Sequence, residues 1–291
     1  MGPYVECNND ETNFANTGAS EQCLESVVVK TVAAPLDFSF DTIEDAKDIS
    51  KWNDGIADKK LFPLYDVEEL ASANTEDTVF EGRNKTYTTA KGKKVITFNS
   101  YLGLCSHAAL KTFNKKEVQL FEITEDGEVK AWRDSAGKVK GQFVTLDIGK
   151  RVDAMPDKPP YTPVKVTYKD FNQYENNGVV LRPGFSASDI DGIYDIVLKQ
   201  VSASATVIKF TASTGCAGGS TKIKSLLAAN VVVKDVDGGT ETVTFVSADS
   251  NGIYTINGTG FANGFTVQLN GVISQAELKM ESPEPLVISI T

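Results

Sequence analysis

The stretch Val118-Gln119-Leu120-Phe121-Glu122-Ile123-Thr124-Glu125-Asp126-Gly127-Glu128-Val129-Lys130-Ala131-Trp132 decides the class of fold. Two runs rich in β-branched and aromatic residues flank an Asp-Gly turn, a strong short-range signal for a β-hairpin. Asp134-Ser135-Ala136-Gly137-Lys138 supplies a second turn, into the run Phe143-Val144-Thr145-Leu146-Asp147-Ile148. Pro156, Pro159, Pro160 and Pro163 read as a rigid crossing loop before the strand Val164-Lys165-Val166-Thr167-Tyr168. The spacing predicts a β-meander through the middle of the chain.

Working outward, Arg83–Thr89 leads into a turn at Ala90-Lys91-Gly92-Lys93-Lys94 and then Val95–Phe98, a second hairpin signature. Ser106 is placed to cap a helix reaching Asn114, with Leu110 and Phe113 as its i, i+3 apolar stripe. Upstream, residues 1–24 read as an extended polar arm and Leu24–Val32 as a first strand. Asp41–Lys47 has the early acids and late lysine that a short helix prefers. Residues 48–80 hold Trp52, Gly55, Pro63 and Tyr65 among many acids. They are expected to form a long loop with one helical turn at Val67–Ala71. Val179–Leu181 and Tyr194–Leu198 are expected to close the first domain.

Near residues 204–206 the composition shifts to Thr, Val and Gly. Alternating segments fall at Val207–Ala212, Ala229–Val236, Glu241–Ser247, Ile253–Asn257, Phe265–Leu269 and Leu286–Ile290. Asp237-Gly238-Gly239, Asp249-Ser250-Asn251-Gly252, Asn257-Gly258 and Asn270-Gly271 punctuate them. Short strands with turns every 8–12 residues are the pattern of a β-sandwich. The expected class is therefore mainly β: an N-terminal arm (1–24), a β-sandwich or barrel with one flanking helix (25–203), and a second sandwich (204–291).

At 291 residues, 41% hydrophobic and 23% charged, the chain suits two folded domains. No apolar run approaches the ~20 residues that cross a bilayer. Met1-Gly2-Pro3-Tyr4-Val5-Glu6 shows neither a basic nor an apolar leader region, so no secretory signal is expected. A net charge of −10 argues against a surface that grips phosphates. The distribution is polar along the chain. Residues 1–80 carry 17 acids against 5 bases, residues 81–170 carry 17 bases against 11 acids, and residues 171–291 carry 7 bases against 11 acids. Such segments either neutralise each other within one chain or join copies head to tail. Cys7, Cys23, Cys105 and Cys216 show no metal-type spacing and are expected as free thiols. The exception is Cys7 with Cys23, where a disulfide would staple the polar stretch between them.

Chemistry-bearing motifs are weak. The one histidine, His107, would have to serve any Ser-His-Asp or Cys-His arrangement, yet it is expected to face solvent beside Ser106. Cys105 and His107, at i and i+2, point to different helix faces. Asp249–Gly252 begins like a calcium loop, but position 12 of that frame is Gly260 where a Glu is needed. Gly215–Lys222 has Lys and Ser/Thr out of P-loop order. Asn84-Lys85-Thr86 and Asn257-Gly258-Thr259 match the glycosylation pattern, and without a signal sequence they are expected to be unmodified. No catalytic residue, cofactor or metal is expected, and no enzyme.

Two resemblances can be named on these residues. Ala229-Asn230-Val231-Val232-Val233-Lys234-Asp235, with Asp249-Ser250-Asn251-Gly252-Ile253-Tyr254-Thr255-Ile256, resembles the Ig-like modules appended to bacterial surface proteins and phage structural proteins. The order of elements over residues 25–203 is similar to the tube proteins of phage tails and contractile injection systems. That resemblance implies hexameric rings that join sheets edge to edge, a long loop reaching the next ring, and an acidic lumen through which DNA slides unbound. Under it, Glu122, Glu125, Asp126 and Glu128 become candidates for the lumen rim. Arg83, Lys85, Lys91, Lys93, Lys94, Arg133, Lys138 and Lys140 become candidates for contacts to an acidic neighbour. The implied partners are further copies of the chain and other virion proteins, with no membrane. The implied place is the virion tail, assembled in a host cytoplasm. A capsid decoration, neck or connector subunit is the alternative among structural proteins, and a carbohydrate- or surface-binding adhesin the alternative from another class.

Overall fold

Alternation of apolar and polar residues is realised as strand pairing in the computed structural model, which describes residues 4–6, 25–170, 172–214, 221–275 and 278–290. The chain divides into two units, Met1–Ile190 and Asp191–Thr291. In the first, the strands are β1 (Tyr4–Val5), β2 (Val28–Ala34), β3 (Phe62–Pro63), β4 (Glu68–Ser72), β5 (Thr78–Glu81), β6 (Thr86–Ala90) and β7 (Val95–Ser100). They continue with β8 (Glu117–Thr124), β9 (Val129–Arg133), β10 (Val139–Lys140), β11 (Gln142–Ile148), β12 (Thr162–Tyr168) and β13 (Gly178–Leu181). Helices α1 (Ile43–Lys47), α2 (Ile49–Ala57), α3 (Leu104–Lys111) and α4 (Asn172–Asn177) complete the unit. Among the described residues there are four helices, where one flanking helix and a short helix at Asp41–Lys47 were expected. Among the described residues no helix is long and apolar enough to cross a membrane.

The main sheet runs β1-β13-β9-β8-β11-β12-β7-β4, and β2 also pairs with β8. β8 is buried from Val118 to Thr124 because both of its faces are covered. Leu120 packs with Val144, Leu146, Val164 and Val166, together with Leu110 of α3. Phe121 points the other way, 5.3 Å from Trp52 and 5.7 Å from Phe40, ring centre to ring centre. β11 and β12 instead alternate buried and half-buried residues, so one face of that part of the sheet stays open.

Residues 48–80 are structured where a loop was expected. Asp48 accepts a bond from Ser50 N (2.9 Å) and caps α2. Trp52 and Ile56, four apart, form its buried stripe, and Trp52 Nε1 donates to Ala46 O at 2.9 Å. The predicted turn at Val67–Ala71 is strand, held by β7. α3 begins at Gly103 with no side-chain cap, so Ser106 is not its cap. His107 is buried and sits 2.9 Å from Thr162 Oγ1 instead of facing solvent. Both corrections follow from tertiary packing, which rotates α3 to put His107 and Leu110 against the sheet.

The hairpin of β8 and β9 forms as predicted, with Gly127 at φ +78° in its turn. Gly137, at φ +86°, closes the next. Between β10 and β11 the chain changes partner, from β9 to β8, and Gly141 marks the step. A Cβ there would stand 2.8 Å from the Leu120 carbonyl carbon. Gln119 spans the same place. Its side chain accepts from Gly141 N (2.9 Å) and donates to the carbonyls of Pro35, Leu36 and Phe38.

The second unit is a two-sheet sandwich of β14 (Ile193–Ala203), β15 (Val207–Thr214), β16 (Thr221–Ile223), β17 (Val231–Lys234), β18 (Thr244–Val246), β19 (Ile253–Asn257), β20 (Thr266–Leu269), β21 (Ile273–Gln275), β22 (Leu278–Glu281) and β23 (Leu286–Val287). One sheet runs β18-β19-β15-β14-β22-β21, with β16 on β15, and the other β17-β20-β23. Ile196, Phe210, Tyr254, Val267 and Met280 fill the space between them. The unit starts before residue 204. Ile193–Ala203 pairs with Val207–Thr214 as a hairpin and belongs here, although composition assigned Tyr194–Leu198 to the first domain. Asp249 takes its turn role, accepting from Asn251 N (2.8 Å) and Ile253 N (2.9 Å). Gly215–Lys222 falls largely outside the described residues, as does residues 7–24 of the predicted arm.

Candidate functional site

Residues 68–100 make one long β-ribbon. β4 pairs with β7 at its root and β5 with β6 at its tip. The tip is rich in Thr, Val, Phe and Tyr, which favour extended backbone, and closes at Gly82-Arg83-Asn84-Lys85 through Gly82 N to Lys85 O, 2.8 Å. This is where the turn lies. The predicted turn at residues 90–94 is continuous ribbon. The polar run Gly82–Lys85 between Thr78-Val79-Phe80 and Thr86-Tyr87-Thr88 was the signal that could have placed it.

Between root and tip, side chains complete the ladder. Val95 N donates to Asn74 Oδ1, Lys93 N to Thr75 Oγ1 and Gly92 N to Asp77 Oδ1. Gly92 is required there, since a Cβ would stand 2.0 Å from Thr75 O. From Glu68 to Lys93 every residue except Gly82 and Gly92 is exposed. Val79 (51%), Phe80 (61%) and Tyr87 (56%) are apolar and open to water at the tip. A two-stranded ribbon with no core of its own is marginal in water, and clustered exposed apolar residues mark contact surfaces.

The root is fixed by Glu69. Its backbone takes φ +53°, a left-handed conformation at the bulge between Glu68 and Ala71. Its carboxylate accepts from Lys158 Nζ (2.6 Å), Tyr101 Oη (2.9 Å) and Asn99 Nδ2 (2.5 Å). The Lys158 bond first, then those from Tyr101 and Asn99, hold the carboxyl below its ordinary value of 4.5. A lowered carboxyl stabilises the fold above its unfolded pKa and loses that contribution as pH falls through the folded pKa. Glu69→Gln is therefore expected to lower the unfolding midpoint at neutral pH. The difference from the parent chain should shrink as the pH falls below the ordinary carboxyl value of 4.5 and through the lowered folded value, as followed by circular dichroism. A difference that did not shrink with falling pH would refute this role.

The predicted basic contacts divide. Arg83, Lys85, Lys91 and Lys93 are exposed on the ribbon and enter no ion pair among the described residues. Lys94 lies over the Tyr168 ring at 4.3 Å. Arg133 lies 5.9 Å from the Tyr4 ring, Lys138 pairs with Asp41 at 2.9 Å and Lys140 with Asp134 at 3.0 Å. For Lys138 and Lys140, neutralisation is internal.

The predicted acidic rim divides too. Glu125 and Asp126 are exposed at the hairpin turn, but Glu122 and Glu128 are buried. Tyr168 Oη donates to Glu122, and Arg182 holds Glu128 at 3.0 Å. Strand alternation explains the correction: Glu122 shares the face of Leu120, turned into the core. Close by, Lys130 pairs with Glu25 at 2.6 Å, and Tyr174 Oη donates to Glu25 at 2.6 Å. Burial by itself would raise the Glu25 carboxyl, and these two bonds outweigh it and hold it low. Burial also pushes the Tyr174 and Tyr168 hydroxyls well above their usual range, so both remain protonated donors. These groups tie β8, β9, β12 and α4 together.

Among the described residues no group of three or more His, Cys, Asp or Glu could hold a metal ion. Cys105 is disulfide-bonded, which replaces the free thiol expected. Cys7, Cys23 and Cys216 lie outside the described residues, and with them the Cys7–Cys23 pairing. Compared with known protein families and with curated proteins, the chain matches none.

Proposed function

We propose that this chain is a structural subunit of the tail-tube type, which joins copies of itself into stacked rings of a virion tail. The observation that carries the reading is the ribbon of residues 68–93, exposed on both faces and apolar at its tip, whose Arg83, Lys85, Lys91 and Lys93 enter no ion pair among the described residues. Such an arm gains nothing for its own fold and gives a neighbouring copy backbone edges, aromatic surface and charge. Exposed acids such as Asp66, which enters no ion pair among the described residues, supply the opposite sign. Bonded Cys105 suits a particle that meets oxidising surroundings. The second unit, a sandwich, fits an appended Ig-like module. An acidic lumen would rest on Glu125 and Asp126, with Glu122 and Glu128 inside the core.

The test is electron microscopy and sedimentation of the purified chain across a salt series. Rings or tubes that loosen as added salt shortens the ~8–10 Å screening length are expected. A chain that stays monomeric at high concentration and low salt would overturn the reading. Rings that never stack would favour a neck or connector subunit.

A further inference from the structure

The groove that receives the arm can be named from the same molecule. It lies at the arm's own root, a cleft of about 430 Å³ between the start of β2 and the residues leading into β4. Val27, Val67 and Leu70 give it an apolar lining, and Val27 and Leu70 are exposed. Asp66 and Glu68 stand exposed on its rim and enter no ion pair among the described residues. Glu69 beside them is taken up by Lys158. An apolar floor with an acidic rim is the complement of a tip carrying Val79, Phe80 and Tyr87, where two exposed bases, Arg83 and Lys85, outnumber one exposed acid, Glu81.

We infer that the arm tip of one copy docks in the Val27–Leu70 groove of the next, an assignment that rests on the self-assembly reading above. The chain's own tip is excluded as the occupant. The strands stay paired from root to turn, so the roughly 30 Å of ribbon between Leu70 and Glu81 holds the tip away from its own root. Donor and acceptor thus sit at opposite ends of one ribbon on every copy. A contact of that kind is heterologous: each copy offers a tip to one neighbour and a groove to another. The series stays open or closes only through the rotation per step, with a spacing set by the arm's length.

Charge exchange tests this on the full-length chain. Arg83→Glu with Lys85→Glu reverses the tip, and Asp66→Lys with Glu68→Lys reverses the groove rim. All four positions are exposed, so the thermal midpoints of both double variants should match the parent chain. Each double variant alone is expected to lose assembly by sedimentation velocity. Mixed in equal amounts they are expected to recover it, because each tip then faces an oppositely charged groove in the other variant. Loss with the tip variant but full assembly with the groove variant would overturn the groove while leaving self-assembly through the arm intact. Loss with both and no recovery on mixing would likewise overturn the pairing of tip with groove. Assembly unaffected by either would overturn both the groove and the arm, and a parent chain that never assembles would sink the reading beneath them.

Discussion

A chain in which residues 74–94 are replaced by an Asn-Gly turn is expected to fold normally and to lose self-assembly altogether. Ala73 N bonds to Val95 O at 2.8 Å, so the two ends already face each other as a hairpin pair, and Asn-Gly suits the tight turn that joins such strands. Apart from Lys94, which lies over the Tyr168 ring and whose carbonyl accepts from Tyr168 N, the excised residues bury almost nothing, and a shorter connection lowers the entropy of closing the loop. The midpoint of thermal unfolding should therefore stay within about 2–3 °C of the parent chain. What disappears is the surface at Val79, Phe80, Tyr87, Arg83 and Lys85. Light scattering at a concentration where the parent chain forms rings would report a monomer. If the shortened chain still assembled, the arm would not be the joint. If it failed to fold, the ribbon would belong to the core, against its exposure.

Gln119→Leu is expected to destabilise the first unit by about 3–4 kcal/mol, a large effect for a nearly volume-conserving change. Gln119 is fully buried. The two N–H groups of its amide are shared among the carbonyls of Pro35, Leu36 and Phe38 at 3.1, 2.8 and 2.7 Å, and its oxygen accepts from Gly141 N at 2.9 Å. Leucine fills the space but leaves the Leu36 and Phe38 carbonyls and Gly141 N without this partner, while Pro35 O keeps its bond from Phe38 N; each loss costs roughly 1–3 kcal/mol, and such losses do not sum fully. Gly141 is where the chain leaves β9 for β8, so no ladder bond is available to replace the lost one. For a unit of this size the midpoint should fall by about 10 °C. A fall of only a degree or two would mean that water or local rearrangement satisfies these groups. Assembly of the fraction still folded should be unchanged, because Gln119 lies far in sequence from the arm and wholly inside.

Much of the fold was written locally. Asp126-Gly127 and Ser135-Ala136-Gly137 set their turns through a residue at positive φ, and Asn270-Gly271 and Ser250-Asn251-Gly252 did so in the sandwich. Turns of this kind are decided by two to four adjacent residues, and the sequence displays them directly. The buried faces of β11 and β12 were equally legible, because only one side is covered and the alternation survives. Helix α2 was not. Asp54, Gly55 and Asp58 weaken its propensity, and it stands because Trp52 finds a pocket of aromatic rings contributed by Phe40, Phe121 and Phe185.

The candidate site divides along the same line. Net charge by segment and the strand-rich composition followed from the order of residues alone, but the hairpin expected over residues 83–98 did not form, since β6 pairs with β5 and β7 with β4. Which carboxylates reach water was decided elsewhere. Glu122 and Glu125 look alike in sequence, yet one ends against Tyr168 in the interior and the other at an exposed turn. Likewise Lys138 and Lys85 are both lysines of a basic segment, and the fold brings Asp41 to the first and, among the described residues, no acid to the second. Turn chemistry and alternation act between neighbours and can be read along the chain. Burial and charge pairing act between residues as far apart as Asp41 and Lys138, and only the closed tertiary structure brings such residues together.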